Sequence, residues 1–88
     1  MCRILLSGDC VKIDYGVHIK GRIGDNALTI EVGNSNNHTE QIKAAKEARD
    51  AAIEMLHPGT PWYKVGQAAA QPSLDAGFQP IRNLCGHQ

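Results

Sequence analysis

The sequence predicts an α+β chain: a β-hairpin, then two helices, then a closing strand. Three observations carry that reading. Residues 10–32 alternate apolar and polar side chains around a break at Lys20-Gly21. Residues 37–76 carry apolar positions at helical spacing, divided by His57-Pro58-Gly59. Phe78 to Leu84 then returns to an extended pattern.

In the first strand Val11, Ile13, Tyr15, Val17 and Ile19 alternate with Lys12, Asp14, Gly16 and His18, the period of a half-buried strand. Lys20-Gly21 suits a two-residue hairpin loop, and Arg22 to Val32 forms the return strand. That loop pairs Ile19 with Arg22, Val17 with Gly24 and Ile13 with Leu28, so both apolar sets share one face. Asp14 and Asp25 then fall together on the opposite face as diagonal neighbours, with backbones about 7–8 Å apart. Any even loop length preserves this parity.

Gly33-Asn34-Ser35-Asn36-Asn37 is a turn-rich connector. Asn37 with Glu40 has the spacing of a capping box, so a helix starts near 37–39. Ile42, Ala45, Ala48, Ala52, Met55 and Leu56 are its apolar stripe. Lys43–Glu47 and Lys46–Asp50 are i,i+4 pairs on its solvated side. His57-Pro58-Gly59 ends it. Thr60 as N-cap and Pro61 at the first helical position open a second helix. It turns Trp62, Val65, Ala68 and Ala69 inward, kinks or breaks at Pro72, and terminates at Gly77.

The chain has 88 residues, with nine Lys+Arg against nine Asp+Glu. Zero net charge argues against direct nucleic-acid binding, which draws on a basic excess. No apolar run approaches the ~18–20 residues of a membrane span, and the apolar start is too short for a secretory signal core. Cys2, Cys10 and Cys85 are odd in number and lack CxxC spacing, so a reducing, cytoplasmic setting is expected. A chain this short buries about 60–65% of its unfolded surface at best, so its core is thin.

On spacing alone, Asp14 and Asp25 are a solvated surface, an acid/base pair or part of a metal site. Cys85 and His87 share a face of an extended segment, but no third group orients them as a nucleophile pair. The combination of motifs says more. Val11-Lys12-Ile13-Asp14-Tyr15-Gly16-Val17-His18-Ile19 with Asp25, and Pro80-Ile81-Arg82-Asn83-Leu84-Cys85-Gly86-His87, resemble the metal-ligand segments of methionine aminopeptidases. The Lys-Ile-Asp-x-Gly-x-His-Ile and Pro-Ile-Arg-Asn-Leu-x-Gly-His strings are similar to type 2, the archaeal and eukaryotic branch. The likeness runs from about Gly8 to His87, and the short connection at 75–80 looks archaeal.

That resemblance implies the pita-bread (creatinase/aminopeptidase) fold, with residues 1–88 as part of a metallopeptidase catalytic domain. It implies Asp14 as the carboxylate that chelates one metal, Asp25 as the bridge between two, and His87 as an imidazole ligand. Two divalent ions, drawn from cobalt, manganese, iron and zinc, would activate a water to attack the scissile carbonyl. The implied substrate is the N-terminal methionine of a nascent peptide, with ribosome association and no membrane partner. The family's two glutamate ligands lie beyond the residue matching His87, and its two further site histidines are not found here. The chain alone is therefore expected to be an inactive fragment, with no catalytic residue of its own assigned. A non-catalytic interaction module of the same fold and a prolidase-like dipeptidase are the competing readings. Lys20, Asn26, Pro72 and Gln88 depart from the family pattern and leave the three ligand assignments standing.

Overall fold

The computed structural model describes residues 2–87, so the departure at Gln88 lies outside the described residues. Its elements are β1 (Cys10–Ile19), β2 (Arg22–Glu31), α1 (Thr39–Glu54) and α2 (Trp62–Asp75). The described residues fall into two compact units, 2–39 with 86–87, and 40–85.

The first unit is built on the hairpin. Lys20 and Gly21 both take positive φ, 52° and 81°, as the two central residues of a type I′ turn do. That turn matches the twist of the flanking strands, so β1 and β2 pair without a bulge: Ile19 with Arg22, Val17 with Gly24, Ile13 with Leu28. The register is the one the loop length predicts. The ladder continues past β2, where the Val32 N–H donates to the Asp9 carbonyl at 2.9 Å and the Gly8 N–H to the Val32 carbonyl at 2.9 Å. Asp9 also fixes the turn before β1, accepting from the Leu6 N–H at 3.0 Å and from Arg3 Nη2 at 2.9 Å.

Both apolar sets share a face, as parity requires, but that face is open. Ile13, Val17 and Ile19 are 46%, 64% and 74% exposed. Among the described residues Ala44 is the one buried hydrophobic side chain, which makes the core thinner even than the length suggests.

The helix types are as expected, and so are the start of α1 at Thr39, its stop before His57-Pro58-Gly59 and the end of α2 at Gly77; the capping groups differ. The first turn of α1 is reached through Glu31, at the end of β2, rather than through an Asn37/Glu40 box. Glu31 accepts from the His38 N–H at 2.8 Å, from Ser35 Oγ at 2.8 Å and from Thr39 Oγ1 at 3.2 Å. Ile42, Ala48, Ala52 and Met55 of the expected stripe are half-buried, with Ala44 and Ala51 beside them on the covered side, whereas Ala45 and Leu56 are exposed. Asp50 pairs with its neighbour Arg49 at 2.9 Å instead of with Lys46. A basic residue four positions before an acidic one is the weaker helical orientation, so the Lys46 pair has little to hold it.

Pro61, not Thr60, is the N-cap of α2, with φ −64° and ψ 139°, and the helix begins at Trp62. Trp62 stands 79% exposed, because at the first helical position no preceding turn shields it, whereas Val65, Ala68 and Ala69 are half-buried. The expected break at Pro72 is absent. Proline forfeits one hydrogen bond to the Ala68 carbonyl, and the helix closes immediately downstream in a Schellman motif. There Gly77 has φ 85°, its N–H donates to the Leu74 carbonyl at 3.0 Å, and the Phe78 N–H donates to the Ser73 carbonyl at 2.8 Å. The strand expected over 78–84 does not form, since an extended segment without a ladder partner has nothing to pair its backbone. No helix among the described residues is long and apolar enough to cross a membrane.

Candidate metal centre

The polar face of the hairpin positions the site. The register sets Asp14 opposite Ala27, Gly16 opposite Asp25 and His18 opposite Ile23. Side chains alternate along a strand, so Asp14, Gly16, His18 and Asp25 share one face, with Asp14 and His18 as the two diagonal neighbours of Asp25. The apolar set occupies the other face. One face can therefore be covered by hydrophobic contacts while the other stays polar.

His87 reaches this face from 62 residues away in sequence. Its Nε2 lies 2.8 Å from Asp25 Oδ2. The structure thus brings two of the three expected ligands into direct contact. Asp14 stands beside them on the same face, with Lys12 Nζ 3.4 Å from its Oδ2. Both partners of that ion pair are largely exposed, so it contributes little and is readily displaced.

The donor set fits divalent first-row ions in kind, with carboxylate oxygens and an imidazole nitrogen. In arrangement it is unfinished: among the described residues no three His, Cys, Asp or Glu side chains are gathered closely enough to hold an ion. With its proton on Nε2, His87 donates to Asp25; a cation taking that nitrogen would require the tautomer with the proton on Nδ1.

Glu31, opposite Cys10 at the end of the ladder, has no role among the expectations drawn from the sequence. Partial desolvation pushes the Glu31 carboxyl up, but donors from Ser35, the His38 N–H, Thr39 and the Asn37 N–H outweigh it and hold the pKa below its ordinary value. The signal was available. A glutamate ending a strand, followed by a Ser/Asn/Thr-rich connector, offers a carboxylate to a run of free donors.

The sequence profile of Metallopeptidase family M24 matches residues 2–88. The chain belongs to this family. Its similar proteins include a methionine aminopeptidase of Archaeoglobus fulgidus, 44% identical, with 97% of this chain and 28% of that protein aligned. Methionine aminopeptidases of Pyrococcus horikoshii and Thermococcus onnurineus are 42% and 39% identical, again over 97% of this chain and 28% of each relative. The chain thus spans less than a third of the length of these relatives. Membership brings with it the α+β pita-bread fold and the use of divalent metal, and the hairpin followed by two helices is the part of that fold seen in this M24 chain.

Proposed function

We propose that these residues are part of the catalytic domain of a two-metal aminopeptidase that removes the N-terminal methionine of nascent peptides in the cytoplasm. The observation that carries this reading is the Asp25–His87 contact on the face that also bears Asp14, in a chain similar to methionine aminopeptidases along nearly its whole length. Asp14 would chelate one ion, Asp25 would bridge two, and His87 would supply an imidazole nitrogen. Cobalt, manganese, iron and zinc all suit such donors. Bound there, the ions supply Lewis-acid activation of water and of the scissile carbonyl. The chain's own contribution is to hold two carboxylates at a fixed diagonal on a paired backbone, and to bring an imidazole to the bridging one. The names of the relatives favour methionine removal over a prolidase-like dipeptidase, and the kept ligands favour catalysis over a purely binding role.

The test is Asp25→Ala in the full protein. Divalent-ion affinity and cleavage of a Met-Ala-Ser peptide should both fall by more than about 100-fold, beyond the range typical of an outer-shell partner. Near-normal turnover in that variant would remove Asp25 from the site. Preferential cleavage of Ala-Pro over Met-Ala-Ser by the unmodified protein would select the dipeptidase reading.

A further inference from the structure

β1 carries a glycine that its backbone does not ask for. Gly16 is not among the residues with positive φ. A Cβ built on it would meet only the Gly24 carbonyl oxygen, at 3.7 Å, an ordinary van der Waals contact. The strand would therefore accept a side chain here and would gain by it, because glycine inside a strand has nothing to pack and loses more freedom on folding. Gly21 differs, since its φ of 81° is required by the turn.

What distinguishes Gly16 is its surroundings. It is the direct cross-strand partner of Asp25, and it lies between Asp14 and His18 on the same face. The missing side chain leaves bare backbone as the floor of a niche. Asp14 and His18 flank it along β1, Asp25 faces it across the ladder, and His87 Nε2 stands 2.8 Å from Asp25 Oδ2. Glycine within a strand marks a place where a ligand or another backbone approaches closely. Gly24, on the opposite face against Val17, has no such surroundings, and its Cβ would sit 3.5 Å from Val17 Cγ2.

Resting on the metal reading above, we propose that Gly16 is an access-determining position: its open floor lets a hydrated divalent cation reach Asp14 and Asp25 together, with His18 as the polar wall toward the turn. A β-branched side chain here would fill the space between the two carboxylates without disturbing the ladder.

The experiment is calorimetric titration of the full protein with Mn²⁺, alongside thermal unfolding of the metal-free form. Gly16→Val should bind Mn²⁺ at least about tenfold more weakly, the scale of a lost supporting group, while its unfolding midpoint is not lowered. Gly16→Ala should weaken binding in the same direction with a smaller step, which keeps the test decisive if valine unfolds the hairpin. Gly24→Ala should leave Mn²⁺ affinity unchanged. Gly16 variants that stay folded and bind Mn²⁺ as tightly as the wild type overturn this proposal and leave the metal site intact. A full wild-type protein without affinity for Mn²⁺ overturns the metal reading, and this proposal with it.

Discussion

The hairpin unit and the helical unit are specified by different kinds of information. In the hairpin, a residue's role depends on its partner across the ladder, and a shift of one position moves it to the opposite face. All three proposed ligands belong to this unit, two by strand register and one by the return of the chain at His87. In the helical unit, structure follows from contacts three to five residues apart, as in the Gln71–Asp75 hydrogen bond of 2.7 Å and the closure around Gly77. Chemistry is therefore expected to be sensitive to exact position in the hairpin, whereas helical substitutions should register as stability.

The largest effect should come from moving one carboxylate by one residue. Exchanging Asp25 and Asn26, as the double variant Asp25→Asn with Asn26→Asp, preserves composition, charge and loop. It transfers the carboxylate to the apolar face, opposite Tyr15. Cation affinity should fall as far as in Asp25→Ala, by more than about 100-fold. The matching exchange of Lys46 and Glu47 on α1 should leave affinity within about twofold, because surface charges of this kind contribute little. Equal losses from both exchanges would erase the distinction between the units.

A smaller effect compares one glycine from each unit. Gly33 and Gly77 have φ of 75° and 85°, so an alanine at either is strained by about 1–2 kcal/mol. At Gly77 a Cβ would meet nothing within 4 Å, and that backbone cost is the whole cost. At Gly33 it would also meet Ser7 Oγ at 2.5 Å and Ser7 Cβ at 3.2 Å. Gly33→Ala should therefore lower the unfolding midpoint more than Gly77→Ala. The reverse order would show that the Ser7 segment yields without cost.

This division also explains what the sequence disclosed. Register and face were legible because Lys20-Gly21 admits one short loop and parity does the rest. The approach of His87 to Asp25 was expected only through family resemblance, since nothing local encodes a contact across 62 residues. Helix types were legible from periodicity, but Pro61 and Pro72 were misplaced in role. Thr60 and Pro61 both suit a helix start, and a proline near a helix end is tolerated when a Schellman closure follows it. The strand over 78–84 failed for a third reason: extended composition states a preference, while a strand also needs a partner.

The smallest effect isolates the join between β2 and α1. The donors of the connector hold the Glu31 pKa below its ordinary value, so the folded state binds its proton less readily than the unfolded chain does. Stability from this carboxylate is therefore fully present above the ordinary glutamate range and is lost as pH falls through the lower folded value. The His38 N–H, which donates to Glu31 at 2.8 Å, is the local reporter. Its protection from hydrogen exchange, compared with that of amides inside β1, should decline selectively on going from about pH 6 to about pH 3. Glu31→Gln keeps an acceptor but removes the ionisation, so its protection should be weaker throughout and indifferent to acid. An unchanged acid dependence in Glu31→Gln would place the titrating group elsewhere and leave the connector held by its backbone turns alone.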